Sequence, residues 1–102
     1  MLTDAELNSI RDGTAPSLAL KLLGIRGRGE VFILGHRCVR LISRGTRVLR
    51  KDADAFCKIL EAAGARLQRP LKGCLVIERA PICSKARRWL GEQGVEVYHL
   101  ND

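Results

Sequence analysis

The stretch Cys74–Leu100 constrains the fold of this chain more than any other. It opens with the continuous apolar run Cys74–Ile77 and passes a turn holding Pro81 and Cys83. Ile82, Ala86, Trp89 and Leu90 then recur at helical spacing, which predicts a helix over 82–93 ended by Gly94. Val95–Leu100 alternates as a final strand. An unbroken apolar run suits a strand covered on both faces. Strand, helix and strand in this short compass form a βαβ unit, so the two strands should be parallel with a right-handed crossover.

The upstream chain supplies further elements. Thr3–Asp4–Ala5–Glu6 has the form of a capping box, opening a helix to Arg11 that Gly13 closes, with Leu7 and Ile10 inward. Pro16 suits a helix first turn, and Leu18, Leu20, Leu22 and Leu23 make Ser17–Leu23 a second short apolar helix ended by Gly24. Val31–Leu34 reads as a strand. Arg37–Ser43 and Thr46–Arg50 flank Arg44–Gly45 as a hairpin, rich in β-branched residues. A competing period exists: Arg37, Arg40, Arg44, Arg47 and Lys51 also fall at steps of three and four, as in a basic amphipathic helix broken at Gly45. Asp52 can cap a helix over Ala53–Ala63, with Phe56, Ile59, Leu60 and Ala63 as its apolar face and Gly64 as its stop.

These elements predict a single α/β domain over 1–102. It has a small mixed sheet of four or five strands with a C-terminal βαβ unit, helices 53–63 and 82–93 packed on it, and two short N-terminal helices. Its parts are a helical segment 1–24, a basic strand or hairpin region 26–51 and an αβαβ core 52–102. A length of 102 residues suits one domain, and 46% hydrophobic with 28% charged residues is a globular balance. The core must be aliphatic, because Phe32, Phe56, Trp89 and Tyr98 are the four aromatics. No apolar run approaches the roughly 20 residues of a membrane span. The start lacks the basic and apolar regions of a signal peptide, so the expectation is a cytoplasmic protein whose Cys38, Cys57, Cys74 and Cys83 are free thiols. Those cysteines form no close pair, which disfavours a zinc knuckle, and no residue set reads as a metal or cofactor site.

Charge is the strongest pointer to function. Arg26, Arg28, Arg37, Arg40, Arg44, Arg47, Arg50 and Lys51 stand against Glu30 alone, so this quarter of the chain holds the whole formal charge of +7. A local field of one sign attracts nucleic acid, another polyanion or an acidic protein. Within it, Arg26–Gly27–Arg28–Gly29 is a glycine-spaced loop that could cradle phosphate or simply connect two elements. The reading is a small basic, non-enzymatic binding module that uses Arg26, Arg28, Arg37, Arg40, Arg44 and Arg47. With so few aromatics, arginine contacts to a phosphate backbone are expected instead of a multi-base stacking platform.

Other residues carry candidate chemistry. Cys83 follows Pro81 near a helix start, with Lys85, Arg87 and Arg88 close by, and such surroundings stabilise a thiolate. Cys83 could equally be a small hydrophobe under the helix. His36 falls in a turn and His99 in the last strand, and neither has triad spacing to a carboxylate or serine. Asp52 and Asp54 suit capping, and Trp89 shares the apolar helix face and is expected in the core.

Two family resemblances follow from these residues. The run Val76–Ile77–Glu78–Arg79–Ala80–Pro81–Ile82–Cys83–Ser84–Lys85–Ala86–Arg87–Arg88–Trp89–Leu90, with Gly94–Val95 after it, is similar to the cysteine-bearing βα unit of glutaredoxins and arsenate reductases. That likeness implies a thiol-dependent activity at Cys83, with Ala80 where a CxxC motif has its first cysteine. The element order with a proline–cysteine turn opening the last helix resembles the cytidine-deaminase-like fold, which includes toxin-type domains. Its zinc motifs are degenerate here, reading Asp52–Ala53–Asp54 without histidine and Pro81–Ile82–Cys83–Ser84–Lys85–Ala86 with one cysteine. What such a fold would retain is nucleic-acid binding by its basic surface. An interaction adaptor docking through the leucine-rich 17–23 segment is a third alternative.

Overall fold

The computed structural model describes residues 2–26 and 29–100. In chain order these form α1 (Asp4–Asp12), β1 (Ser17–Ala19), a 3-10 turn (Leu20–Leu23), β2 (Glu30–Leu34), β3 (Arg37–Ser43), α2 (Arg50–Leu67), β4 (Lys72–Glu78), α3 (Ser84–Glu92) and β5 (Glu96–Leu100). One mixed sheet contains all five strands in the order β1-β2-β3-β4-β5. β1, β2 and β3 run antiparallel to one another, whereas β3, β4 and β5 are parallel. The expected small mixed α/β sheet is therefore present, and its C-terminal βαβ unit pairs Cys74 with Glu96 through to Glu78 with Leu100.

Residues 73–77 of β4 are all buried, as its unbroken apolar run requires. On one sheet face Cys74 and Val76 join Phe32 and Val39 against Leu2 and Ile10, on and beside α1. On the other, Leu75 and Ile77 meet Ala53 and Phe56 of α2 and Ala86 and Leu90 of α3. Gly73 permits that packing, because a Cβ there would lie 2.9 Å from Leu60 Cδ2 and 3.1 Å from both Phe56 and Val95. α1 has the capping box read from its sequence: Thr3 Oγ1 accepts from Glu6 N–H at 3.1 Å and Glu6 Oε1 accepts from Thr3 N–H at 2.9 Å.

Four expectations need correction. Ser17–Leu23 is not a second helix but edge strand β1 followed by the 3-10 turn. Leu18 and Leu20, two apart, belong to the same cluster with Val31 and Cys38, which is strand spacing. The hairpin is not at Arg44–Gly45. It joins β2 to β3 through Gly35–His36, with Leu34 opposite Arg37 and Gly35 at φ +62, where a side chain is disfavoured. Thr46–Arg50 is correspondingly no strand, and Val48 alone makes a parallel bridge, to Ile82. Finally, α2 exceeds the expected 53–63 at both ends. Asp52 is its third residue, with Oδ2 accepting from Leu49 N–H at 2.8 Å, and the N-cap itself is Leu49. Gly64 lies inside the helix, which closes at Gln68 with φ 55.

Candidate nucleic-acid interface

The carboxyl ends of β3 and β4 lead into two short connections, residues 44–49 and 79–83. The Val48–Ile82 bridge fastens them together, with Val48 N–H donating to Pro81 O at 2.8 Å and Cys83 N–H to Val48 O at 3.0 Å. Val48 is fully buried beneath the join. The starts of α2 and α3 follow directly, so Arg47, Arg50, Lys51, Arg79, Lys85, Arg87 and Arg88 gather around this end of the sheet, all of them exposed.

Beneath that rim, Arg44 is bonded to Asp52 and Ser43 to Glu78. Arg44 reaches back along its own connection, donating from Nε to Thr46 O and from Nη2 to Arg47 O, both at 3.2 Å. The same Nη2 lies 2.7 Å from Asp52 Oδ2. Burial pushes the Asp52 carboxyl up, but the bonds from Arg44 and Leu49 outweigh it and leave the group below its ordinary range. Ser43 Oγ donates to Glu78 Oε1 and accepts from Arg79 Nη2, each at 2.9 Å, while Arg11 Nε sits 3.0 Å from Glu78 Oε2. Arg79 adopts φ +64, in the left-handed region that favours glycine. A cleft of about 310 Å³ between β3 and α2 is lined by Arg40, Ser43, Arg44 and Asp52 with Phe56 and Ile59. A second groove, of about 440 Å³, lies along α3 beside the start of α2 and is lined by Arg50, Ser84, Lys85, Arg88, Trp89 and Glu92.

The six arginines singled out from the sequence do not converge. Arg47 is on the rim, and Arg44 lies beneath it as a brace for the connection. Arg40 is half-buried and donates from Nη1 to Glu30 O at 2.9 Å, and burial lowers its pKa while the charge of Glu30 opposes that. Gly29 beside it adopts φ +112, a backbone conformation that disfavours any side chain. Arg37 is at the opposite end of β3, beside Lys72. Arg26 is exposed after the 3-10 turn. Gly27 and Arg28 of the glycine-spaced loop lie outside the described residues. Arg50 and Lys51 belong to the basic segment but not to the six, and Arg79, Lys85, Arg87 and Arg88 were missed as part of this surface because nothing local in the sequence signals that the two connections are joined.

Cys83 occupies the N-cap of α3, its sulfur accepting from Ala86 N–H at 3.3 Å, and is half-buried. His99 is exposed, and its Nδ1 lies 3.3 Å from Arg87 Nη2. His36 is exposed in the β2–β3 turn. Trp89 is less enclosed than expected of a core residue: half-buried, it packs on the α2–α3 cluster and lines the groove, with the Arg50 guanidinium over its ring at 3.8 Å. Among the described residues no group of three or more His, Cys, Asp or Glu side chains could hold a metal ion. No helix among them is long and apolar enough to cross a membrane.

The fold class is thus a mixed five-stranded α/β sheet carrying α1 on one face and α2 and α3 on the other. No family model and no curated protein matches the chain. Among solved structures it is similar to a repair endonuclease from Pyrococcus abyssi, at TM-score 0.58 and 12% identity over 99% of this chain and 48% of that one. It is also similar to the protein of the EndoMS-dsDNA2 complex, at TM-score 0.59 and 22% identity over 99% of this chain and 46% of that one. The chain spans about half the length of each. At these identities the likeness establishes a shared fold.

Proposed function

We propose that this chain is a DNA-binding module that contacts the phosphate backbone through the basic rim at the carboxyl ends of β3 and β4. The observation that carries the reading is the join between residues 44–49 and 79–83, which brings cations distant in sequence to one end of the sheet. The fold shared with a repair endonuclease and with a protein in complex with double-stranded DNA supports DNA over other polyanions. Long, exposed guanidinium and ammonium groups suit phosphate, and phosphate contacts set position without reading sequence. The carboxylates beneath the rim, Glu78 and Asp52, are each engaged by an arginine. That supports a role in holding DNA over one in cutting it.

The experiment is binding to a short DNA duplex across a salt series. Affinity should fall steeply between about 50 and 200 mM salt, each phosphate contact adding about 0.9 to the logarithmic slope. Reversing the charge of Arg47 and Arg79 together should weaken binding at least about tenfold and flatten the slope by nearly two. Reversal at Arg37, at the far end of β3, should matter far less. Binding that ignores salt, or that responds to Arg37 and not to the rim, would refute the proposal.

A further inference from the structure

The groove along α3 beside the start of α2 has a composition that phosphate binding alone does not explain. Arg50 lies flat enough on Trp89 to place its guanidinium carbon 3.8 Å from the ring centroid, a stacking distance. Its Nε is held at 3.2 Å by Asp54 Oδ1, one helical turn on. The side chain is nevertheless 46% exposed, and it lines the groove. Arg50 is therefore a planar cation fixed on one side by an indole and along one edge by a carboxylate, with the rest of its surface open. Lys85 and Arg88 line the groove from the same face of α3 as Trp89, and Glu92 is the one acid among the lining residues.

The geometry points to a site for one unpaired nucleotide of a DNA strand: its base stacks on the open face of the Arg50 guanidinium, and its phosphate meets Lys85 and Arg88. This rests on the DNA-binding reading and adds a preference within it. Nucleobases stack on arginine planes as they do on aromatic rings. A base in an intact duplex is already stacked on its neighbours and offers only its backbone to such a site. A volume of about 440 Å³ accommodates one nucleotide. A plane already fixed by Trp89 and Asp54 loses little rotamer freedom on binding. The chain's single tryptophan builds only one such subsite, which fits the scarcity of aromatics elsewhere.

That tryptophan is also the reporter. A short oligodeoxythymidylate should change Trp89 emission as it binds, by excluding water from the groove, and a duplex of equal length should bind with a much smaller change. Arg50→Lys separates plane from charge: it should weaken oligodeoxythymidylate binding roughly five- to hundredfold, the range for loss of one stacked base. Arg50 belongs to the rim, so duplex affinity should fall as well, but by a clearly smaller factor, since the charge is kept. Arg50 is half-exposed, so the variant should remain folded, and the emission change in the unaltered protein is an independent measure. Duplex binding that persists while Arg50→Lys leaves oligodeoxythymidylate affinity unchanged, or while Trp89 emission stays constant, overturns this inference alone. Failure of the chain to bind either oligonucleotide at low salt overturns the DNA-binding reading with it.

Discussion

Replacing Arg44 with alanine separates the two roles this arginine could have, and the structure gives the size of the effect. Its guanidinium contacts Asp52 at 2.7 Å, with side-chain exposures of 37% for Arg44 and 19% for Asp52. A partly exposed pair of this kind contributes at most about 1 kcal/mol. The bonds to Thr46 O and Arg47 O, both 3.2 Å, are exposed and contribute near the lower end of the ordinary range, together about 1 kcal/mol. The total is about 2 kcal/mol, which for a domain of this size lowers the thermal midpoint by roughly 8–16 °C. Urea and thermal denaturation of Arg44→Ala, Asp52→Asn and the double variant measure it. The coupling between the two residues should be about 1 kcal/mol. DNA binding by folded Arg44→Ala should fall less than binding by a variant reversed at Arg47 and Arg79. A midpoint within about 2 °C of the parent, coupled to a tenfold loss of DNA affinity, would refute the assignment of Arg44 as a brace.

Two further predictions concern titrating groups. Glu96 is held down to about 2 by hydrogen bonds from Lys72 and Tyr98. Because the folded value lies below the ordinary one, its contribution is complete above about pH 4.5 and is lost as pH falls toward 2. The full shift would be worth about 3 kcal/mol, but Lys72 is 46% exposed, and screening reduces that to about 1 kcal/mol. Glu96→Gln should therefore lose less stability between pH 6 and 2 than the parent, and an unchanged acid profile would contradict this. Burial pushes the Cys38 thiol up to about 12 and the Cys74 thiol up to about 11, and both are completely enclosed. Mass-resolved alkylation of the native protein should reach Cys83 first and Cys38 and Cys74 only on unfolding. Labelling of Cys38 at the rate of Cys83 would show the core packing to be wrong.

What could be read in advance depended on whether a signal was local. The Thr3–Glu6 capping box lies within one turn and was legible. So was β4, because a strand buried on both faces cannot tolerate polar residues, and so was the parallel pairing across α3. β1 was read as helix because its Leu18 and Leu20 are followed at once by Leu22 and Leu23, and three residues of strand are too few to establish a period. The hairpin was displaced from Gly35–His36 to Arg44–Gly45 because both offer a glycine between β-branched runs. Only pairing with β2 distinguishes them. For the candidate site, the sequence located positive charge but not its geometry. A strand about 20 Å long carries Arg37 and Arg44 to opposite ends, although seven positions look close on the page. The contribution of Arg79 depends on a left-handed backbone and on Ser43 across the strand pair, and neither leaves a trace in its neighbours.

The bridge between Val48 and Ile82 has a consequence for the entropy of association. Two separate loops would each have to be immobilised when a ligand arrived, at roughly 1–2 kcal/mol per residue fixed. Here the backbone freedom of both is surrendered when the sheet and helices assemble, since the bridging amides bond during folding. A partner arriving at this rim has only side chains to order, about 0.5–1.5 kcal/mol for each long cation it engages. The Arg44 brace acts in the same direction, tying Thr46 and Arg47 to the start of α2 before any contact is made.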